Sequence, residues 1–189
     1  MGLGTKIKQF LFVTLRIRKY QWLSDCKKVS GKPNYHHPCL LAGKGRIVFG
    51  QQVQMGVIYS PNYYSNYSFI EAREENSEIK IGDHVAINNN FSAVAFSKIT
   101  ISDFTVIGIN CSIMDSDGHH LDPAKRSAEG SESVAVYIGK NVFLGDNVTI
   151  LKGVTIGDNS VIGIGSVVTK SIPENVVAAG NPARVIRNL

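Results

Sequence analysis

Covalent cross-links are the first thing this 189-residue chain has little means to make. Its three cysteines, Cys26, Cys39 and Cys111, are odd in number and form no CxxC pair, which argues against a disulfide framework or a zinc knuckle. They are expected to be reduced, intracellular thiols. Long apolar runs are missing too. Within KIKQFLFVTLRIRKYQWL, residues 6 to 23, the uninterrupted run extends only from Phe10 to Val13, and Arg16, Arg18 and Lys19 follow closely. That is too short for a membrane span or a signal-peptide core, and no small-residue cleavage site follows it. The expected location is the cytoplasm. Acid is scarce at one end: the first 49 residues contain ten Lys or Arg and one acid, Asp25. They carry +9, the remainder −4, and the whole chain +5. The basic pI of about 9.1 is therefore local, and a mildly acidic body argues against nucleic-acid binding. The bases of the first segment, interleaved with Phe, Leu, Ile and Trp22, fit peripheral contact with the anionic inner face of a membrane. They fit equally a terminal helix packed over the end of the core, because the apolar residues are not cleanly confined to one helical face.

With 43% hydrophobic and 19% charged residues, the chain matches one ordinary domain with its own core. Its internal order is a repeat of six. From residue 138 it divides into IGKNVF, LGDNVT, ILKGVT, IGDNSV, IGIGSV and VTKSIP. The leading positions Ile138, Leu144, Ile150, Ile156, Ile162 and Val168 are all aliphatic. A period of six matches neither an amphipathic helix nor a half-buried strand. If three hexads close one triangular coil, residues 18 apart stack on adjacent rungs about 4.8 Å apart. Ile138 then lies beside Ile156, Leu144 beside Ile162 and Ile150 beside Val168. The pattern also runs earlier, through Ile81, Ile87 and Ala93 and, after a two-residue slip, Ile101, Ile107 and Ile113. Ile47 and Val53 read as an imperfect coil upstream. The expected organisation is a basic segment with a first irregular coil over 1–46, then an all-β parallel solenoid over 47–189. Interruptions near 56–79 and 115–137 project from it, and a Pro-punctuated cap follows Val168.

The hexads, a His-bearing loop after Met114-Asp115, and the ending GDNSVIGIGSVVTKSIPENVVAAGNPARVIR resemble the left-handed β-helix hexapeptide acyltransferases, including galactoside, maltose and serine acetyltransferases and sugar or polysaccharide O-acetyltransferases. The resemblance covers residues 47 to 189. It implies a left-handed parallel β-helix, a homotrimer, and acyl-coenzyme A sites in grooves between neighbouring coils, with a loop from one subunit reaching the adjacent one. The first 46 residues differ from the helical start of the galactoside enzymes and point to the branch acting in surface-glycan assembly.

A hydroxyl is a poor nucleophile at neutral pH, so acetyl transfer from a thioester needs a base at the acceptor oxygen. Histidine, which ordinarily titrates near pH 6.5, suits that work. The resemblance assigns this role to the histidine of a Gly-His pair, here Gly118-His119. His120 stands where the galactoside enzymes have Pro, and the loop is one residue longer, so His120 is the second candidate and an acceptor contact. Asp115 or Asp117 would orient the imidazole, or else build an Asx turn. Asn88 matches an acceptor-contacting Asn, while Phe96 replaces an acidic contact and implies a different acceptor. Lys170, Arg184 and Arg187 match positions that meet the phosphates and adenine of coenzyme A, a task that suits isolated bases. Backbone near Gly145 and Gly163 would bind pantetheine, although the repeat alone accounts for both glycines. Tyr59, Tyr63, Tyr64, Tyr67 and Phe69 either stack on a sugar or pack their own loop. His36 and His37 read as structural or solvent-exposed.

Two other classes compete. Gamma-class carbonic anhydrases share the fold and hold a metal with three histidines; His84 precedes His119 by 35 residues, but the third ligand position, 124, is Ala. No metal is expected. A catalytically silent hexad scaffold would need neither the loop histidine nor the basic cap. Within the enzymes, acetylation of an amino sugar or a nucleotide sugar, or of a xenobiotic, remains open beside O-acetylation of a carbohydrate.

Overall fold

In the computed structural model, which describes residues 2–128, 130 and 132–189, the chain winds into a triangular prism with three walls of parallel strands. The first wall contains Lys28–Ser30, Arg46–Phe49, Glu78–Ile81, Lys98–Ile101, Val136–Ile138 and Thr155–Ile156. The second begins with Asn34–Tyr35 and Gln54–Met55, continues through Ala86–Ile87, Val106–Ile107, Phe143–Leu144 and Val161–Ile162, and ends in the hairpin Val176–Gly180 and Ala183–Asn188. The third contains Cys39–Ala42, Ser68–Ala72, Ser92–Ala95, Ser112–Met114, Thr149–Ile150 and Val167–Val168. Successive strands belong to successive walls, so three strands make a coil.

Most strands are two to four residues long because a single inward aliphatic per hexad is enough to fill the narrow interior. Phe49, Ile81, Ile101, Ile138 and Ile156 form one continuous buried ladder, and Met55, Ile87, Ile107, Leu144 and Ile162 another. The third runs Ile70, Ala93, Ile113, Ile150 and Val168. Each large member, buried from water, stabilises the fold by about 1.5–3 kcal/mol. From Ile81 onward the expected registers, including the slip between Ala93 and Ile101, are those observed; upstream, Phe49 and Met55 take the ladder places expected for Ile47 and Val53.

The corners are held by polar side chains that reach to the coil before. Asp83, Asp103, Asp146 and Asp158 accept the N–H groups of Gln51, Asp83, Ile109 and Lys140 at 2.6–2.9 Å. Asn141, Asn159 and Asn175 all have positive φ and hydrogen-bond one another along the edge between the first and second walls. Asparagine tolerates that backbone region better than most residues.

The first irregular coil expected within 1–46 is built by the strands Lys28–Ser30, Asn34–Tyr35 and Cys39–Ala42, in register with the next one. One feature differs from the sequence expectation. The interruption expected over 56–79 is divided by Ser68–Ala72, a third-wall strand whose Ser68, Ile70 and Ala72 are buried. Ahead of the prism lie α1 (Leu3–Gln9), a π-helical turn (Phe10–Thr14) and α2 (Leu15–Leu23). They rest on the loop before Ser68: Gln9 donates to Tyr63 at 3.2 Å, Arg16 to the Asn66 carbonyl, and Tyr20 stacks on Tyr67 with ring centroids 4.4 Å apart.

Candidate active site along one edge of the prism

The edge at which the third wall passes into the first carries most of the expected machinery. From coil to coil it is formed by residues 43–45, 73–77, 96–97, 115–128 with 132–135, 151–154 and 169–171. The long excursion that begins at 115 contains the two histidines.

Asp115 opens that loop and is fully buried. One carboxylate oxygen accepts from Phe96 N–H at 2.8 Å, and the other from Ser97 and Lys98 N–H at 2.8 and 2.7 Å. This explains the two-residue slip. Phe96 and Ser97 lengthen the corner, the bent backbone turns three N–H groups toward one point, and Asp115 from the coil above satisfies them. The structure thus gives Asp115 backbone partners instead of an imidazole. The neck is closed by a Ser116–Ser133 bridge and by Val134 N–H donating to the Asp115 carbonyl at 2.8 Å.

Asp117 is also engaged elsewhere: Lys152 holds it at 2.7 Å and Glu132 at 2.9 Å. Both carboxylates keep the Lys152 ammonium charged and raise its pKa. Lys152 was not legible as a site residue, because its partners lie on both sides of the loop neck. Gly118 follows with φ of +74° and open space around it, a turn that leaves His119 exposed and His120 half-buried.

Two coils above, Lys170 and Arg184 line one cleft of about 210 Å³ with Ser171, Ile172, Ala183 and Val185. Arg184 is carried there by the hairpin whose turn contains a cis Asn181–Pro182 peptide. Arg187 is exposed farther along the same strand and its guanidinium meets only the Asn188 carbonyl among the described residues. Below the loop the edge has a larger charged cleft, about 700 Å³, bounded by Lys28, Gly43, Lys44, Glu71, Arg73 and Glu75 among others. Arg73 there is clamped by Glu71 and lies over the Phe96 ring at 4.7 Å from its centroid.

Gly145 and Gly163 have their N–H groups bonded to Ile162 and Ala178 carbonyls at 2.8 Å, and their own carbonyls accept from Cys111 and Ser166. A Cβ on Gly145 would come within 2.7 Å of Ile164 N, and one on Gly163 within 2.8 Å of the Ala179 Cβ. Close stacking of coils accounts for both, and neither N–H is available to pantetheine.

Asn88 stands apart, at the edge between the second and third walls, where its side chain accepts from Asn89 N–H at 2.8 Å. The whole third wall separates it from His119. Asn89, fully buried, ties the 57–67 loop down through Val57 and Pro61. His37, also buried, reaches the Asn62 and Ser65 carbonyls at 3.0 Å. Tyr63 is buried and Tyr67 is stacked on Tyr20, so these rings pack the loop, while Tyr59 and Tyr64 remain exposed. His36 bonds to Gln54 at 3.0 Å. His84, at a positive-φ corner, stacks on Phe104 at 5.1 Å. Among the described residues of the single chain, no three His, Cys, Asp or Glu side chains gather as metal ligands.

Comparison with known proteins agrees with this architecture. Residues 135–170 match the family model described as bacterial transferase hexapeptide (six repeats). The galactoside O-acetyltransferase of Escherichia coli K12 is 35% identical over 190 residues, covering 94% of this chain and 89% of that protein. YJL218W of Saccharomyces cerevisiae is 42% identical over 132 residues, 70% of this chain, and the chain spans 63% of its length. A galactoside acetyltransferase solved in complex with coenzyme A superimposes with a TM-score of 0.61 at 38% identity, covering 74% of this chain and 64% of that one. With a relative of this identity aligned over nearly its whole length and a matching coil in its solved counterparts, the chain belongs to the left-handed β-helix hexapeptide-repeat acyltransferases.

Proposed function

We propose that the protein transfers an acetyl group from acetyl-coenzyme A to a hydroxyl of a sugar or surface polysaccharide, with His119 as general base and no covalent acyl-enzyme. The observation that carries the reading is the shared edge: an exposed imidazole two coils below a cleft lined by Lys170 and Arg184. At about 4.8 Å per coil the two are separated by roughly 10 Å along the prism. That separation lies within the reach of a pantetheine arm, so that the phosphates would meet the two bases while the sulfur end reaches the loop.

On this reading acetyl-coenzyme A is the co-substrate and supplies the acetyl group as a thioester. His119 removes the acceptor hydroxyl proton as the oxygen forms its bond to the acyl carbon, and returns the proton to the departing sulfur as the C–S bond breaks. Lys152 keeps the loop against the coil during both transfers. Asn88 contacts the acceptor only if it comes from another subunit, because the third wall lies between it and His119. A homotrimer would supply that arrangement. Ala86, Val106, Phe143, Val161 and Val177 form an apolar ladder on the outer face of the second wall, with Val106 and Phe143 nearly half exposed, and such a stripe fits contact between copies.

The test is thiol release from acetyl-coenzyme A with a panel of sugars, comparing native protein, His119→Ala and His120→Ala. Loss of general-base help predicts a fall of about 10²- to 10⁴-fold for His119→Ala and a much smaller one for His120→Ala. Undiminished turnover in His119→Ala would overturn the assignment.

A further inference from the structure

The N-terminal helical segment has one face engaged and the rest open. Val13 is its one buried hydrophobic residue, and Gln9, Arg16 and Tyr20 anchor it to the loop at Tyr63, Asn66 and Tyr67. Away from that contact, Ile7, Leu11 and Leu15 recur every four residues and are 42–50% exposed; Trp22 is 82% exposed. Leu3, Phe10, Phe12 and Leu23 add to the same open surface. Lys6, Lys8, Arg18 and Lys19 are interleaved with these residues, and all four are exposed.

What covers such a surface is decided by its charge. Among the described residues none of these four cations has an ion-pair partner, and Asp25 is the one acid before Glu71. A second copy of the chain is a poor mate. Three of the four carboxylates in its acidic stretch are already paired in place: Glu71 with Arg73, Glu75 with Lys28, and Glu78 with Arg46 and Lys98. The helix also cannot cross a bilayer, since no helix among the described residues is long and apolar enough. An apolar surface interleaved with uncompensated cations, too short and too charged to span, has the chemistry of a segment lying in the headgroup region.

We propose that residues 3–23 dock the protein on an anionic membrane surface, with Ile7, Leu11, Leu15 and Trp22 entering the interface and Lys6, Lys8, Arg18 and Lys19 meeting lipid phosphates. Trp22 is the single tryptophan of the chain, so its emission reports the event directly. Native protein titrated with phosphatidylglycerol vesicles should show a saturable blue shift and co-float with the lipid; phosphatidylcholine vesicles should give neither. Each cation near an anionic surface contributes about fivefold in affinity, so K8E/R18E/K19E should weaken binding more than a hundredfold, as should raised salt in part. The substituted positions are exposed, and an unchanged circular dichroism spectrum verifies the fold. L11N/L15N, which keeps every charge, should also lose the blue shift. Equal binding to both lipids, no binding to either, or an emission already blue-shifted in lipid-free protein would each overturn the proposal, the last by showing that another copy covers the helix. No step of the test measures acetyl transfer, so its outcome is separate from the role of His119.

Discussion

Replacing Asp115 tests the account of the loop at its most constrained point. Three N–H groups converge on its carboxylate at 2.7–2.8 Å, from a corner two residues longer than a hexad allows. Removing an acceptor from a partly buried donor costs about 1–2 kcal/mol, and Asp115→Ala removes the acceptor for all three, so the loss should be about 3–6 kcal/mol. Asp115→Asn keeps one oxygen. Turned toward Ser97 and Lys98, it preserves two bonds and sets an amide N–H against Phe96 N–H, a loss of about 1–3 kcal/mol. The assay is urea denaturation followed by far-ultraviolet circular dichroism at one fixed protein concentration, so that any association between copies contributes equally to every midpoint. With a slope of about 2–3 kcal/mol per molar urea, the alanine variant should unfold about 1–3 M earlier than native protein, and the asparagine variant should fall between them. Equal losses in the two variants would mean that the count of retained oxygens is irrelevant. Unchanged midpoints, combined with an altered pH profile of turnover, would mean that the carboxylate serves an imidazole after all.

Three further outcomes follow from contacts already described. Lys152→Met releases Asp117 and Glu132, so trypsin should nick the loop after Lys125 or Arg126 several-fold faster, Lys152→Arg should restore protection, and an unchanged nicking rate would remove Lys152 from its holding role. Burial lowers the pKa of His37, so below about pH 6.5 the unfolded chain binds a proton that the folded one refuses, and stability is lost as pH falls through that window. Denaturation midpoints at about pH 7.5 and about pH 5.5 should therefore converge in His37→Gln relative to native protein, and parallel curves would contradict this. Phe143→Asp places a charge on the apolar ladder of the second wall and should shift the mass measured by light scattering toward the monomer; an unchanged mass would exclude that face as the contact between copies.

The hexads made the prism legible because its physics is local. An aliphatic every six residues can be buried in one way only, and the pairings of Ile138 with Ile156 and Ile101 with Ile81 follow from spacing alone. The first coil reads as irregular in the sequence because it is an end coil: Lys28–Ser30 is exposed throughout and Asn34–Tyr35 has no fully buried residue, so the aliphatic signal fades. Ser68–Ala72 was masked by its own charged and aromatic flanks. Among the site residues, position in the chain identified the loop, but function within it depends on partners far away in sequence. Asp115 looks like a catalytic carboxylate until the N–H groups 17–19 residues earlier are seen, and Lys152 looks like a solvated lysine until the loop folds back. Asn88 and His119 lie on different edges, and no spacing rule within the chain brings them together; on the proposed reading only a neighbouring molecule would.

The corner built by residues 169–171 stands two windings above the histidine loop, and the number of windings between them is an integer. The backbone is therefore a gauge with fixed graduations, roughly 4.8 Å each. Excising one complete eighteen-residue winding would keep the remaining coils in the same hexad phase yet shorten the reach between the two stations by one graduation. If the two stations hold the two ends of the thioester, as proposed above, the length of cargo that fits is set in whole turns of the chain and not by any single side chain.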